Sequence, residues 1–285
     1  MKRERVLMDR SSSTEKFIPM TTVSSGHGIE IGSDIYCFAI QFVNICFVGS
    51  SENGWVLIDA GTPKSAQKII DEAKNRFGED AMPKAIILTH AHFDHIGAIF
   101  ELLEEWDVPV YAHTLELPYL TGKKNYPIPD TTVDAGLIVK LSPMFPTEAI
   151  DLGSKVKALP STGTVPHMEG WQWIHTPGHT EGHISLFREK DRALIAGDAF
   201  VTVKQESLYS VLTQELEIHG PPKYLTPDWD SSWESVKLLE KLKPTLAVTG
   251  HGHPVSGEWL PGNLSRLSRD FDKIAIPKQG KYVNK

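Results

Sequence analysis

The 285-residue sequence predicts an α/β fold. Two observations carry that prediction. Apolar, partly β-branched runs alternate with stretches whose apolar residues recur at helical spacing, and the order strand, helix, strand occurs in both the first and the last third. Five of the apolar runs also lead into a polar, metal-competent residue: Asp59, His90, His179, Asp198 and His251. Ligand sites in α/β proteins gather at the carboxyl ends of strands. Strands that all finish this way imply one shared sheet edge lying between two similar halves, although no residue-level repeat of fixed period is present.

The elements follow in order. Residues 1–20 are polar and mixed and are expected to form a loosely held extension to a single domain, 21–285. Residues 35–40 and 42–48 are strand-like. Residues 54–58 form a buried strand that runs into Asp59 and the small-residue turn Ala60-Gly61. Pro63 can open the next helix, whose apolar face is Ala66, Ile69, Ile70 and Ala73 and which stops near Gly78. A strand at 85–88, a helix at 98–106 and a short strand at 108–111 come next. Residues 114–170 contain seven prolines and little periodicity, so they cannot be one regular element. They read as a surface insertion, either a lid-like cover over the site or an ordinary packed connection. Residues 171–174 are a strand, and 184–187 with 193–196 form a hairpin. Ser231-Ser232-Trp233-Glu234 has the pattern of a capping box and predicts a helix to about Leu242, interrupted by Pro244. Residues 245–248 are a last buried strand, and 263–274 a closing amphipathic helix.

The chemistry centres on Thr89-His90-Ala91-His92-Phe93-Asp94-His95-Ile96-Gly97. Three histidines and an aspartate fall in the turn between a buried strand and a helix, where a tight bend can aim alternate side chains at one spot. Neutral imidazole and carboxylate suit a borderline divalent ion such as Zn²⁺. A lone histidine here would read as a solvated loop residue; four ligand-type side chains in this setting point to metal.

Composition narrows the classes. Forty per cent hydrophobic and 23% charged residues are ordinary for a soluble enzyme. A net charge of −7 argues against nucleic acid as a partner. No run approaches the roughly 20 apolar residues of a membrane span, and no apolar stretch follows the basic start Met1-Lys2-Arg3-Glu4-Arg5 as a secretory signal would require. Cys37 and Cys46 lie in strand-like runs and read as two buried thiols rather than a disulfide. A cytoplasmic protein is expected, monomer or homodimer, without membrane or nucleic-acid partners.

Taken together, His90-Ala91-His92-Phe93-Asp94-His95, Thr176-Pro177-Gly178-His179-Thr180, Gly197-Asp198 and Gly250-His251-Gly252 are similar to the signature of the metallo-β-lactamase-fold superfamily, over about residues 30–260. The resemblance implies a four-layer αββα sandwich, two mixed sheets with outer helices, and a pair of divalent metals at one edge, Zn²⁺ first, with Mn, Fe or Co as alternatives. Carried over by position, His90, His92 and His179 would hold one metal, Asp94, His95 and His251 the other, and Asp198 would bridge them. Asp59 would orient a ligand by hydrogen bonding. His183 is expected to support the site without ligating. His253 competes with His251, but the Gly-His-Gly setting favours His251. His27, His113, His167, His175 and His219 are expected to be core or surface residues.

The reaction implied is hydrolysis of a carboxylic ester, with a lactone as the best single guess. A metal-bridging hydroxide would attack the carbonyl, and Asp94 would accept or relay the proton. Acyl-homoserine-lactone hydrolases of this fold can carry a tyrosine three residues after the bridging aspartate; here that position is Val201. Tyr209 and Tyr224 are candidates for the same task, and Phe200, Met144 and Phe145 for further substrate contacts. A glyoxalase-II-like thioester hydrolase is the alternative, with Arg266, Arg269 and Lys273 as its basic cluster. A mononuclear-iron persulfide dioxygenase is a third reading. A non-catalytic binding member would have little reason to keep all seven ligands. Hydrolysis of β-lactams is disfavoured by the aspartate in the first motif and the missing secretion signal.

Overall fold

The structure, a computed structural model, describes residues 21–133 and 136–283; the extension expected at 1–20 lies outside the described residues. Two mixed sheets are present. The first has seven strands in sequence order: β1 (Gly28–Glu30), β2 (Ile35–Ile40), β3 (Val43–Ser50), β4 (Gly54–Ile58), β5 (Ile86–Ile87), β6 (Val110–Ala112) and β7 (Val156–Ala158). β1 to β4 pair antiparallel, and β4 to β7 parallel. The second sheet holds β8 (Trp171–His175), β9 (Ile184–Arg188), β10 (Ala193–Gly197), β11 (Leu246–Thr249) and β12 (Val255–Ser256), in the order β12-β11-β10-β9-β8. Only β10 and β11 are parallel there. The helices are α1 (Ala66–Phe77), α2 (Phe93–Ile96), α3 (Ile99–Trp106), α4 (Leu117–Leu120), α5 (Leu137–Leu141), α6 (Leu208–Thr213), α7 (Trp229–Lys241), α8 (Trp259–Arg269) and α9 (Phe271–Ile274).

The period-two alternation of strand side chains sets the layers. Along β3 and β4, Ile45, Phe47, Trp55 and Leu57 meet Ile69 of α1 and Leu102 of α3. Their neighbours Cys46, Val48, Val56 and Ile58 face the other way, onto Ile184, Leu186 and Ile195 of the second sheet. Leu194, Ala196 and Ala247 then turn outward to Val236 and Leu239 of α7 and Leu260 and Leu264 of α8. Three apolar clusters therefore separate four layers: helix, sheet, sheet, helix. Two polar ties lock the sheets together. The guanidinium of Arg188 donates to both oxygens of Asp34 at 2.6 and 2.7 Å. Asn44 Nδ2 donates to the carbonyls of Thr249 and Gly252 at 2.9 and 2.6 Å, fixing β3 against the turn after β11.

Several expectations are corrected in detail. The shared edge belongs to two sheets: Asp59 and His90 follow β4 and β5, whereas Asp198 and His251 follow β10 and β11. His179 lies in the loop beyond β8 rather than at a strand end. α7 begins at Trp229, before the proposed capping box, because Asp228 caps it by accepting Ser231 N at 3.0 Å. The closing helix is broken in two at Asp270. Residues 114–170 do more than run over the surface: they supply β7 and bury Tyr119, Leu120, Ile150 and Leu152 in the first core cluster. Cys37 and Cys46 stand opposite each other across β2 and β3 as free, buried thiols. No helix of the described residues is long and apolar enough to cross a membrane.

Leu186 is fully buried between the sheets, and Leu238 is 40% exposed on α7. Leu186→Ala should cost about 2–5 kcal/mol in urea unfolding, and Leu238→Ala should stay within about 0.5 kcal/mol. Equal effects would contradict a core between the sheets.

Candidate metal centre

β5 ends at Ile87, and the chain turns at His92 into the single-turn α2, which carries Asp94 and His95. This turn is stitched to the one after β4 backbone to backbone. Ala60 N donates to His95 O at 2.6 Å, and Gly97 N to Gly61 O at 2.8 Å. The approach is so close that a Cβ on Gly97 would fall 2.2 Å from Pro63 N. On the second sheet, Gly250 plays the same part: a Cβ there would lie 2.0 Å from Asp198 Oδ1. The glycine lets the turn that carries His251 close onto Asp198.

Three overlapping groups result: His90, His92 and His179; His90, His95 and Asp198; Asp94, His95 and His251. In each, the candidate ligand atoms lie within 4.8 Å of one another. Asp198 is the hub. Its Oδ2 is 3.4 Å from His179 Nε2 and 3.2 Å from His251 Nε2, and its Oδ1 is 3.6 Å from His95 Nε2. His251 Nε2 also lies 3.4 Å from Asp94 Oδ2. All seven side chains are buried.

For four of the five imidazoles the outer ring nitrogen fixes which atom faces inward, whereas His92 Nδ1 lies 3.0 Å from His179 Nε2. His251 Nδ1 donates to the carbonyl of Phe42 at 2.9 Å, so its Nε2 carries the lone pair. His95 Nδ1 meets Asp59 Oδ2 at 2.8 Å. Thr226 Oγ1 donates to Pro222 O and therefore accepts from His179 Nδ1, 3.1 Å away. Thr89 Oγ1 donates to Asp59 Oδ2 and accepts from His90 Nδ1 in the same way. The inward atoms His90 Nε2, His95 Nε2 and Asp198 Oδ1 are buried without a hydrogen-bond partner. Buried polar atoms are rarely orphaned, and lone pairs turned toward one another need a cation among them. The residues present therefore fit divalent metal.

Electrostatics agrees. Burial, reinforced by neighbouring imidazoles, holds His90 and His179 well below the ordinary histidine range and brings His92 down to about 3. Neutral imidazole is the form that ligates. His95 is the opposite case: burial disfavours its charge, but Asp59, Asp198 and Asp94 outweigh burial and push it up to about 10. Burial also disfavours charge on His251, and Asp198 and Asp94 again prevail and raise it. The carboxylate side of the site demands positive charge.

His183 does not ligate. Its Nε2 accepts the backbone N–H of Asp198 at 2.9 Å, and burial lowers its pKa to about 4. Its Nδ1 lies 2.9 Å from Thr176 Oγ1 and 3.1 Å from Thr176 O. Both nitrogens are engaged, and the ring aims the strand end that carries Asp198.

The remaining site candidates divide. Tyr224 is buried, and the charges of Asp94 and Asp198 add to burial in raising its hydroxyl pKa well above 10. Phe145 lies between Tyr224 and Phe93, at ring-centroid distances of 5.9 and 5.2 Å. Met144, next to it, is half exposed. Tyr209 and Phe200 are not brought to the site. Tyr209 is 71% exposed on α6, and Phe200 is enclosed in the outer cluster beneath α7 and α8. His253 lines a separate cavity with His27, and His113 stacks on His175. Thr89, Thr226 and the Phe42 carbonyl were not visible as site residues in the sequence; hydroxyls and main-chain oxygens that orient ligands leave no spacing signature.

Comparison with known proteins gives a consistent result. The profile of the Metallo-beta-lactamase superfamily matches residues 40–251. The chain is 49% identical over 263 residues to the probable metallo-hydrolase YflN of Bacillus subtilis, covering 92% of this chain and 100% of that one. It is 26% identical over 175 residues to a hydroxyacylglutathione hydrolase of Bdellovibrio bacteriovorus, covering 60% and 50%. Among solved structures it resembles an archaeal metallo-beta-lactamase superfamily protein from Sulfolobus tokodaii, with TM-score 0.53, 21% identity, and 88% and 83% of the two chains covered.

Asp59→Asn, which disturbs the acceptor for His95 Nδ1, should weaken metal binding about 10- to 100-fold. Competition against a chromophoric chelator measures this; unchanged affinity would leave Asp59 without an orienting role.

Proposed function

Because the chain belongs to the metallo-beta-lactamase superfamily, we propose that it is a binuclear-metal hydrolase of carboxylic esters, with lactones as the first substrate class. The observation that carries this is the closure of six buried ligand-type side chains around Asp198, with the inward atoms His90 Nε2, His95 Nε2 and Asp198 Oδ1 unpaired. His90, His92 and His179 would hold one divalent ion, Asp94, His95 and His251 the other, with Asp198 facing both. When bound, two such ions, Zn²⁺ or else Mn, Fe or Co, polarise a carbonyl and supply a water whose pKa falls towards ~7.

The chain's own residues do the rest. Asp94 is held by burial above the usual carboxylate range, which suits it to accept a proton from the attacking water and return it to the leaving oxygen. Among the described residues the Tyr224 hydroxyl has no hydrogen-bond partner, and it is free to donate to the substrate carbonyl in the role that Val201 cannot fill. Phe93 and Phe145 form an apolar wall that excludes water beside it. The two carboxylates, Asp94 and Asp198, would only partly neutralise two divalent ions, leaving the site electropositive toward developing negative charge.

Thioester hydrolysis is the second reading, favoured by the likeness to a hydroxyacylglutathione hydrolase. Two of the three basic residues it would use for glutathione already face a carboxylate. Arg269 is paired with Asp270 at 2.7 Å, and Lys273 with the same carboxylate at 3.4 Å, on the outer helices. A persulfide dioxygenase would need one iron, whereas the overlapping ligand groups support two ions. Two buried free thiols fit a reducing cytoplasm, and the expected partner is a small ester or lactone, the chain acting as monomer or homodimer.

Metal-assayed protein should hydrolyse members of a lactone and aryl-ester panel faster than thioesters. Chelation should abolish that activity, and Zn²⁺, Mn²⁺ or Co²⁺ should restore it. Preference for thioesters, or oxygen uptake with one iron per chain, would replace the ester reading. Asp94→Asn should retain the fold and lower kcat by orders of magnitude. Tyr224→Phe should lower kcat/KM about 10²–10³-fold, as for loss of one oxyanion donor; an unchanged value would remove Tyr224 from the site.

A further inference from the structure

The mechanism above makes no use of Glu116, a fully buried carboxylate between β6 and α4. Its Oε2 accepts from Ala91 N at 3.0 Å and from the Tyr126 hydroxyl. Its Oε1 accepts from Thr180 Oγ1 at 2.6 Å and from Gly182 N at 3.0 Å. Ala91 sits between His90 and His92, and Thr180 directly follows His179. One carboxylate thus grips both loops that carry the three-histidine group. The fit is tight: a Cβ on Gly182 would fall 2.8 Å from Glu116 Cγ. Tyr126, held by the same carboxylate, packs its ring 4.4 Å from that of His92 and stacks on Tyr119 at 3.9 Å.

Burying a carboxylate is costly unless it is fully hydrogen-bonded or compensated by positive charge. Among the described residues no lysine or arginine pairs with Glu116. Four donors satisfy it, and those donors come from the two ligand loops and from Tyr126. Without the carboxylate, the Gly182 N–H would be left buried and unpaired, Ala91 N would keep only the Tyr126 hydroxyl 3.2 Å away, and the hydrogen bonds that tie the two loops to one group would be lost.

We infer that Glu116 is a positioning residue for one metal only, setting the approach of His90 and His92 to His179; the inference rests on the binuclear reading above. Its hydrogen bonds go to Ala91, Tyr126, Thr180 and Gly182, none of them to Asp94, His95 or His251. Its loss should therefore act on one metal position and spare the other.

The test is calorimetric titration of metal-free protein with Zn²⁺, backed by the visible spectrum of Co²⁺. The unaltered chain should take up two equivalents. Glu116→Gln, which keeps the volume but presents a donor where an acceptor is needed, should weaken one equivalent about 10- to 100-fold and leave the other within about threefold. In a His251→Ala background, which retains the three-histidine position, the same change should weaken the remaining equivalent by a similar factor and alter the Co²⁺ spectrum. Should Glu116→Gln fail to fold by near-ultraviolet circular dichroism, Thr180→Val removes a single donor; it should weaken the same equivalent several-fold, and no change there would overturn the inference. Two equivalents in the unaltered chain with both affinities unchanged in Glu116→Gln would sink the positioning role alone. Fewer than two equivalents in the unaltered chain would instead sink the binuclear reading and its dependent inference.

Discussion

Asp198 occupies the point where two sets of buried imidazoles meet, and its carboxylate is the interaction on which the arrangement depends. His95, His179 and His251 all approach it within 3.6 Å, from three different parts of the chain. A carboxylate buried this deeply is tolerable only because those rings, and the cations they can share with it, surround it. Its position is set from behind. His183 accepts its backbone N–H, and the Thr176 main chain and hydroxyl hold His183 in turn. The strand end, the supporting ring and the ligand thus form one rigid chain of contacts of the kind that a preorganised site requires.

The fold supplies the convergence by joining two sheets at one edge. Neither sheet alone holds a complete ligand group around Asp198, since His90 and His95 follow β5 and Asp198 and His251 follow β10 and β11. What aligns them is mostly main chain: the stitching of Ala60 and Gly97 to the neighbouring turn, the absent side chain at Gly250, and the amide of Asn44 on two carbonyls of the opposite sheet. The surrounding apolar clusters make that edge stiff by filling the space on both faces of each sheet.

Much of the site could be read in the sequence, for an identifiable reason. The run from His90 to His95 places four ligand types in one turn, and contiguity survives without knowledge of tertiary structure. His179, Asp198 and His251 stood out as polar residues after apolar runs, but their ligand roles became legible only together, as a set resembling a known signature. The alternation of apolar residues announced strands but not which strands are neighbours, so one sheet edge was expected where two sheets meet. Side-chain direction was equally hidden: Phe200 and Tyr209 lie near Asp198 in sequence, yet one points into the outer core and the other into solvent. The cap of α7 went to Asp228 because aspartate competes on equal terms with serine at that position, a choice settled by the incoming loop. Glu116 had no motif at all; its meaning comes from donors that are distant in sequence.

The bond between His251 Nδ1 and the carbonyl of Phe42 joins residues 209 positions apart. A ribosome finishing the first sheet has released His90, His92, Asp94 and His95, but not the ring that answers Phe42, nor His179 and Asp198. The full set of candidate ligands is therefore assembled only once His251 has emerged. Partners so far apart in sequence make closing the cage a slow search.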